Sequence, residues 1–486
     1  MIYKLRPYQE ECVKSISDYI NSDRHDPVLI VGPVGCGKSL LIAEAARLMG
    51  DKTLILQPSK ELLQQNHDKI TSYGIPATIY SASCGKKELS NMIYATLGSI
   101  KKVVDKLKEM GIRNVLIDEA HAGYSPEDGS EFMTFMNELK PKKVIGFTAT
   151  PCRLKNMSIG QTSYSQLNFI TRMRPVYFKN LIHVIQVEEM IRQGFWTPLK
   201  YETWDFNGDA LKLNSNGSEY TAGSISEAVR KNGLNNLILR RLMVLKDVCR
   251  SILVFMDSVE SCNTAAEWMN AKICAGMAEA VHGGTPKKQR EAIVERFKSG
   301  GTRVVFNYSA LGTGFDHPGL DCVIVGRPTF SFSSFYQWLG RAVRIKDGKD
   351  SALVVDCCNN SSRFGDIRKL SIENYKGYGW GMFIGDKLIT NIPMGDKVTK
   401  TDLDIKAAKK DRRRGLAQGV TAAPVPGRPD HPLGSTVMTF GKYCGWMLHS
   451  IPVSYFKFIN EIFDWDNDRN KDIKEYIDFL IKNNRL

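Results

Sequence analysis

The sequence predicts an α/β fold with two tandem domains, each built on a parallel β-sheet that helices cover. Two series of short apolar runs carry this prediction, and a polar, irregular stretch, Leu154–Gly223, separates them. The runs are continuously apolar, which is typical of strands buried on both faces in parallel sheets. The first series is VLIV at Val28, TLIL at Thr53, NVLI at Asn114 and KVIGF at Lys143. The second series is ILVFM at Ile252, RVVF at Arg303, CVIV at Cys322 and ALVV at Ala352.

Composition shifts divide the chain further. We expect a first domain at residues 1–200 and a second at residues 201–395. Residues 396–435 contain a basic run followed by a segment rich in proline and glycine, which is typical of a linker. A compact tail is expected at residues 436–486.

The charge balance suits a polyanionic partner. The 486 residues contain 66 lysines and arginines against 52 acidic residues, a formal charge of +14. No apolar run approaches the roughly 20 residues that span a bilayer, so we expect no membrane association. The N-terminus lacks the pattern of a secretion signal, so the cytoplasm is expected. The eleven cysteines form no C-x-x-C pair, which favours buried reduced thiols over zinc or disulfides.

A phosphate-binding loop follows the first apolar run. GPVGCGKS matches the pattern G-x-x-x-x-G-K-[S/T] in full, directly after a predicted strand and before a helical pattern. Backbone N–H groups of such a loop turn onto phosphate oxygens, and the helix that follows adds its positive dipole end. Lys38 is expected on the β- and γ-phosphates and Ser39 on Mg²⁺. The expected nucleotide-binding residues are Gly32, Pro33, Val34, Gly35, Cys36, Gly37, Lys38 and Ser39.

A pair of carboxylates closes the apolar run in VLIDEAH (Val115–His121). An acidic residue at the end of a strand near a phosphate loop holds Mg²⁺, and the next carboxylate can polarise the attacking water. We therefore assign Asp118 to the metal and Glu119 to the water.

These motifs, with GFTATPCR at Gly146–Arg153, resemble superfamily 2 helicases and translocases of the DEAH type. The remaining motifs occur in the order of that superfamily, over about residues 1–370. They are LRPYQ, LQPSKELLQQ, YATLGSI, ALGTGFDHPGLD and QWLGRAVR. The closest likeness is to RadD-type bacterial DNA helicases, through segments such as IRQGFWTPLKY. The resemblance implies two RecA-like domains with an ATP cleft between them, and it suggests a phage-encoded relative.

The resemblance also implies roles at that cleft. Arg6 and Gln9 would read the adenine, and Gly314 and Asp316 would contribute to the nucleotide site from the second domain. Arg341 and Arg344 would act as arginine fingers, whose planar forks suit the charge on the transferring phosphoryl group. The residues expected in catalysis are Lys38, Asp118, Glu119, His121, Gln337, Arg341 and Arg344.

Nucleic-acid contacts are expected on both domains. The candidates are Lys60, Thr96, Ser99, Ser258 and Thr313. Hydroxyls and amides on phosphates carry no base information, so little sequence preference is expected. The basic run Lys406–Gly415 is either an accessory DNA-binding segment or a solvated surface.

The tail, TFGKYCGWMLHSIPVSYFKFINE, resembles a small FGKY-type domain found at the C-termini of some bacterial and phage exonucleases. Its aromatic residues form either a core or a stacking surface, and the tail is the expected contact for a replication or repair protein.

The leading hypothesis is a monomeric ATP- and Mg²⁺-dependent DNA helicase or translocase, with 3′ to 5′ movement implied by the resemblance. An RNA helicase and an ATP-gated nucleic-acid-binding protein without unwinding remain as alternatives.

Overall fold

The computed structural model of the chain forms two compact units. It describes residues 4–50, 52–159, 162–312, 315–407, 431–439, 443–462, 465 and 470–486. The larger unit comprises Met1–Asn374 with Trp380–Val398, and the smaller unit comprises Tyr375–Gly379 with Thr399–Leu486. The larger unit contains two parallel sheets, as the apolar runs predicted. The part of the chain built on each sheet is called the first and the second lobe below.

The first lobe is built on an eight-stranded sheet in the order β10-β1-β7-β6-β2-β5-β3-β4. Neighbouring strands are parallel except for the short β4, which runs antiparallel to β3 at the edge. The strands are β1 (Val28–Val31), β2 (Thr53–Leu56), β3 (Thr78–Ser81), β4 (Lys86–Lys87), β5 (Met92–Ala95), β6 (Asn114–Ile117), β7 (Lys143–Thr148) and β10 (Asn180–Val184). All four runs predicted for this lobe are central strands, fully buried on both faces.

The second lobe is built on a six-stranded parallel sheet in the order β11-β16-β15-β12-β14-β13. Its strands are β11 (Leu199–Thr203), β12 (Ile252–Phe255), β13 (Ala278–His282), β14 (Val304–Tyr308), β15 (Cys322–Val325) and β16 (Ala352–Asp356). The four predicted runs again form the interior of the sheet. The two edge strands, β11 and β13, are partly exposed, so they lack a continuous apolar run.

Helices cover both sheets. In the first lobe they are α1 (Pro7–Asn21), α2 (Lys38–Met49), α3 (Lys60–Thr71), α4 (Leu97–Ile100), α5 (Val104–Glu109), α6 (Glu131–Leu139) and α7 (Val187–Arg192). In the second lobe they are α8 (Ala222–Lys231), α9 (Leu234–Val248), α10 (Val259–Lys272), α11 (Lys287–Ser299), α12 (Phe332–Leu339) and α13 (Asn360–Phe364). Spacing on helix α2 predicts an apolar stripe of Leu41, Ile42, Ala45, Leu48 and Met49. The first three are buried, Leu48 and Met49 are only partly buried, and burial extends beyond the stripe to residues such as Ala43 and Ala46.

Antiparallel strands lie outside the two large sheets. Strands β8 (Cys152–Ile159) and β9 (Thr162–Phe169) pair with each other directly after the Thr148–Thr150 segment. Further along the chain are β17 (Leu370–Tyr375), β18 (Gly379–Ile384), β19 (Lys387–Leu388) and β20 (Val398–Thr399), of which β18 and β19 form an antiparallel pair.

The smaller unit has its own hydrophobic core around helices α14 (Val453–Ile462) and α15 (Lys471–Lys482). Phe456 and Tyr476 are fully buried in it, whereas Trp446 is exposed, so the aromatic residues of the tail divide between core and surface. Most of the basic run Lys406–Gly415 and of the predicted linker lies outside the described residues. None of the described helices combines the length and the apolar character that crossing a bilayer requires.

We predict that Gly146→Ala in strand β7 destabilises the first lobe. A Cβ at this position would lie 2.7 Å from the ring of Phe178 and 2.9 Å from the Cβ of Ala120, inside a close-packed core. Overpacking of this kind costs about 1–3 kcal/mol. Thermal and urea unfolding measure the loss. The control is Gly223→Ala in helix α8, where an added Cβ meets no atom within 4 Å; it should be neutral or slightly stabilising, because alanine is the better helix former. Equal midpoints for the two variants would contradict the packing argument.

Candidate functional site

A cavity of about 410 Å³ lies between the two lobes of the larger unit. The first lobe contributes Arg6, Gln9, Gly32, Pro33, Val34, Gly35, Gly37, Lys38, Ser39 and Glu119 to its lining. The second lobe contributes Asp316, Gln337, Gly340, Arg341 and Arg344. The cavity thus collects most of the residues proposed from the sequence for nucleotide chemistry. Gly314 and Thr313 lie outside the described residues.

Parallel pairing explains why the first-lobe residues meet. Strand β1 lies next to β7, and β7 lies next to β6. The phosphate loop follows β1, Asp118 follows β6, and the Thr148–Thr150 segment begins at the last residue of β7. Because the carboxyl ends of parallel strands share one edge of the sheet, three segments far apart in sequence converge there.

The phosphate loop has the backbone conformation that its glycines permit. Gly35 and Gly37 have φ angles of +84° and +80°, a region that residues with a Cβ rarely adopt. Helix α2 begins immediately afterwards at Lys38, so its N-terminal N–H groups face the cavity end of the loop. This combination of turned amides and a helix N-terminus is suited to an anionic group such as a phosphate.

One end of the cavity concentrates charge. Lys38 Nζ lies 3.0 Å from Asp118 Oδ1 and also contacts Glu119. Burial disfavours the charged form of Lys38, but Asp118 and then Glu119 outweigh this effect, and the pKa of Lys38 lies above its ordinary value. Asp118 is almost fully buried and accepts hydrogen bonds from Asn66 Nδ2 at 2.9 Å and from the Glu119 N–H at 2.8 Å.

The backbone is strained at Glu119, which has a φ of +46° without being glycine. Such a conformation costs of order 1–3 kcal/mol and persists only where the surroundings enforce it. The turn directs Glu119 to the cavity lining while Asp118 stays buried behind it. Two adjacent carboxylates therefore occupy different environments.

A polar chain leads from this acidic pair to the second lobe. His121 Nδ1 lies 2.8 Å from Thr148 Oγ1, which accepts a hydrogen bond from the Thr150 N–H at 3.0 Å. Ser333 of helix α12 donates to Thr150 Oγ1 at 2.8 Å. Burial, with the nearby Lys38 charge as a second cause, lowers the pKa of His121 to about 3, so its ring is neutral at physiological pH. His121 is therefore a neutral member of this hydrogen-bonded chain, next to Asp118 and Glu119.

The second lobe directs two arginines at the cavity. Arg344 Nε lies 2.9 Å from Asp316 Oδ1. Arg341 donates to the carbonyl of Phe315 at 2.6 Å and to that of Gln337 at 3.2 Å. Burial, followed by the neighbouring Arg344 charge, lowers the pKa of Arg341 to about 10, and the group stays charged at neutral pH.

The N-terminal segment closes another side of the cavity. Gln9 Oε1 accepts a hydrogen bond from the Arg6 N–H at 2.9 Å, and Gln9 Nε2 donates to the Cys36 carbonyl at 2.8 Å. Cys36 is fully buried, so it contributes a backbone carbonyl to the site and keeps its thiol in the core.

Several lining residues were not identified from the sequence. They are Lys4, Leu40, Leu62, Gln65, Lys69, Ala149 and Gly340. Leu62, Gln65 and Lys69 share one face of helix α3, and their i, i+3, i+7 spacing was a detectable signal once that helix was known to face the cavity.

The candidates for nucleic-acid contact lie elsewhere on the larger unit. Thr96 Oγ1 is 3.2 Å from Ser99 Oγ and 3.2 Å from Ser81 Oγ, which in turn is 2.9 Å from Ser83 Oγ. The sequence identified Thr96 and Ser99 but not Ser81, the last residue of strand β3, and Ser83, which follows that strand.

The other two described candidates sit at helix starts. Ser258 accepts a hydrogen bond from the Ser261 N–H at 3.1 Å as the N-cap of helix α10. Lys60 is the first residue of helix α3. They are not part of the hydroxyl network around Thr96.

Each lobe contains a segment that matches a known protein family. Residues 2–153 match the family described as "Type III restriction enzyme, res subunit", and residues 235–346 match "Helicase conserved C-terminal domain". A "51.5 kDa protein" of a Lactococcus phage is 25% identical over 68% of this chain and 65% of its own length. The "ATP-dependent DNA helicase Q-like 2" of Arabidopsis thaliana is 22% identical over 73% of this chain and 47% of its own length.

The fold is also similar to a solved structure, "ATP-dependent Type ISP restriction-modification enzyme LlaBIII bound to DNA". The TM-score is 0.53 at 14% identity, over 86% of this chain and 30% of that one. The chain therefore spans less than two thirds of the length of these relatives. The two lobes have the paired RecA-like architecture of superfamily 2 helicases.

We predict that His121 makes the protein sensitive to acid. Its pKa is about 3 in the folded chain and near 6.5 when unfolded, so only the unfolded state takes up this proton between those values. Stability is therefore lost as the pH falls from about 6.5 towards 3, by up to about 1.4 kcal/mol per pH unit for one proton. Urea unfolding at pH 6.5 and 5 should show a steeper loss for the wild type than for His121→Gln. Equal losses would contradict a neutral, buried His121.

Proposed function

We propose that this chain, which belongs to the superfamily 2 helicases through its two matched helicase domains, is an ATP-driven motor that moves along DNA or unwinds it. The observation that carries the proposal is the cavity to which both lobes contribute charged residues. Lys38 and Glu119 enter it from the first lobe, and Arg341 and Arg344 enter it from the second. A ligand held there contacts both lobes, so a change in its charge changes how the lobes are held together.

ATP with Mg²⁺ fits the residues present. Turned amides and Lys38 suit the phosphates, and the Ser39 hydroxyl with the Asp118 carboxylate supplies the oxygen ligands that Mg²⁺ prefers. Among the described residues, no group of three or more His, Cys, Asp or Glu side chains could hold a metal ion by itself. Bound there, Mg²⁺ would neutralise charge on the phosphate oxygens. Lys38 would exchange its carboxylate partners for phosphate oxygens.

Glu119 is the proposed general base. Its carboxylate lines the cavity, and Oε2 is buried without a hydrogen-bond donor, with His121 Nδ1 at 3.4 Å. A water held by the Glu119 carboxylate in the cavity would lose a proton to it as it attacks the terminal phosphate. Because His121 is neutral, it leaves the charge of Glu119 in place.

Arg341 and Arg344 are the proposed arginine fingers. Both face the cavity from the turn after helix α12, and Gln337 of the same helix joins them. Their charges would stabilise the oxygens of the phosphoryl group in transfer, which is worth roughly 10³–10⁵ in rate where measured in other enzymes.

DNA is the proposed track. The Thr96 hydroxyl network and the basic balance of the chain suit phosphates rather than bases, which supports binding without sequence preference. The LlaBIII enzyme, whose fold is similar, was solved bound to DNA, which favours DNA over RNA by analogy. The sequence resemblance adds further parts to the proposal. They are movement from 3′ to 5′, a RadD-type helicase of the DEAH class, and an FGKY-type domain in the tail.

The remaining parts of the proposal concern the setting of the motor. We propose that the boundary between the two lobes lies near residue 200. The linker is proposed to begin near residue 396 and the tail near residue 436. The tail is the proposed contact for a replication, recombination or repair protein. The motor is proposed to act as a monomer in the cytoplasm.

The test of the function is ATP hydrolysis in the presence of single-stranded DNA, duplex DNA and RNA, with strand separation measured on forked DNA. We expect DNA to stimulate hydrolysis more than RNA does. Glu119→Gln should bind ATP but lose turnover by at least about a hundredfold, since a general base contributes about 10²–10⁴. The matched control is Glu131→Gln, because Glu131 is an exposed partner of Lys101 and does not line the cavity. Stimulation by RNA alone would overturn the DNA assignment, and unchanged turnover in Glu119→Gln would overturn the base.

Arg344→Ala tests whether the second lobe takes part in chemistry. ATP affinity should change little, whereas hydrolysis should slow by about 10³-fold or more, because the lost charge acts mainly on the transition state. The matched control is Arg296→Ala, since Arg296 pairs with Glu279 on the exposed side of the second lobe. Single-turnover hydrolysis and nucleotide titration separate the two effects. A loss of affinity with normal hydrolysis would contradict the finger assignment.

A further inference from the structure

The covalent connection between the lobes passes directly behind the phosphate loop. After strand β10 and helix α7, the chain crosses to strand β11 through Phe195–Trp196–Thr197. Trp196 and Thr197 are each 2% exposed. None of these three residues was proposed as functional from its chemistry. Each contacts a different part of the nucleotide site, and together they are called the strap below.

Trp196 contacts the phosphate loop. Its indole Nε1 donates a hydrogen bond to the Val34 carbonyl at 2.7 Å. A peptide unit is planar and trans, so its C=O and N–H point in opposite directions. The bond to the Val34 carbonyl therefore turns the N–H of Gly35 away from Trp196. Since Gly35 lines the cavity, Trp196 orients one of the amides that would face a phosphate.

Thr197 contacts the turn that carries the arginines. Its N–H donates to the Val343 carbonyl at 2.8 Å, and its hydroxyl donates to the Arg344 carbonyl at 2.7 Å. These bonds fix the backbone from which the Arg344 side chain starts. One strap residue thus holds the phosphate loop, and the next holds the arginine turn.

Phe195 contacts the N-terminal segment. The Arg6 guanidinium carbon lies 4.5 Å from the centre of the Phe195 ring, and the Tyr8 ring packs edge-on against it at 5.4 Å. Cation–π contacts of this kind favour a fixed guanidinium position. The strap therefore also reaches the segment that includes Gln9.

The opposite side of the phosphate loop leaves it no room to move away from the strap. A Cβ on Gly340 would lie 2.5 Å from Val34 Cγ2, and a Cβ on Gly35 would lie 3.3 Å from Val343 Cγ2 and 3.4 Å from Trp196 Nε1. The tip of the loop is packed between the strap and the end of helix α12. A displacement of either one is therefore transmitted to the loop.

We propose that Phe195–Trp196–Thr197 is a coupling strap whose residues position three parts of the ATP site at once, so that nucleotide affinity and hydrolysis depend on the same segment. The inference rests on the proposed ATPase function and deepens it. Trp196 acts through the Gly35 amide and Thr197 acts through Arg344, so both are positioning residues. The two should leave different kinetic signatures.

Trp196→Phe keeps a buried ring and removes the donor to the Val34 carbonyl. Because phosphate-loop amides hold the nucleotide before and during reaction, nucleotide affinity should fall about tenfold and the KM for ATP should rise accordingly, with kcat within about twofold. Thr197→Val keeps the shape and removes the donor to the Arg344 carbonyl. It should lower kcat about fivefold at unchanged ADP affinity.

Matched controls exist in the second lobe. Trp204→Phe removes an indole donor to Glu202, and Thr203→Val removes a hydroxyl contact with Ser361, both outside the cavity lining. Both controls should keep wild-type KM, kcat and affinity. Thermal unfolding verifies that each variant is folded.

The measurements are the affinity for a fluorescent ADP analogue and the steady-state KM and kcat with DNA present. Opposite signatures from the adjacent residues support the strap, since a merely structural role would lower the active fraction alike in both and leave KM unchanged. If Trp196→Phe and Thr197→Val behave as their controls do, the strap is overturned while the ATPase stands. If the wild type binds ADP but hydrolyses no ATP, the proposed function fails, and the affinity of Trp196→Phe still decides the role of Trp196.

Discussion

The shared edge of three parallel strands is the constraint on which the rest of this structure depends. Strands β1, β7 and β6 end side by side; Thr148 is the last residue of β7, and the segments after β1 and β6 supply Lys38 and Asp118. Parallel pairing requires a crossover between consecutive strands, so residues far apart in sequence meet only because helices return the chain to the same edge. The convergence of a cation, two carboxylates and a helix N-terminus follows from this topology.

Burying these charges together is costly unless each has a partner. Asp118 is held by Asn66 and by the Glu119 N–H, and Lys38 contacts both carboxylates. Removing one member of such a group leaves an uncompensated buried charge, which is strongly destabilising. The left-handed backbone of Glu119 is a further local cost, and it separates a carboxylate that lines the cavity from one buried behind it. Local stability is thus given up where the chemistry needs a fixed arrangement.

Residues of the second lobe line the same cavity as the phosphate loop of the first lobe. Its arginines face the cavity, and Ser333 of helix α12 bonds to the Thr150 side chain of the first lobe. In the strap, Trp196 bonds to the Val34 carbonyl of the phosphate loop, and the adjacent Thr197 bonds to the Arg344 carbonyl of the arginine turn. The contacts between the lobes therefore meet at the cavity proposed to hold the nucleotide.

The sequence by itself determined four interior strands of each sheet and the nucleotide loop, because these depend on local patterns, whereas the interior strands β5 and β3 of the first sheet were not predicted. Continuous apolar runs mark strands buried on both faces, and the glycines of Gly32–Ser39 mark a turn that only they allow. Edge strands such as β10 and β13 escaped prediction because their partial exposure breaks the apolar run. Only the tertiary structure decided that Leu62 and Gln65 face the cavity, that Ser81 joins Thr96, and that Trp196 holds the Val34 carbonyl. Those contacts join residues up to 162 positions apart, and a pattern within one segment carries no information about which distant segment it will meet.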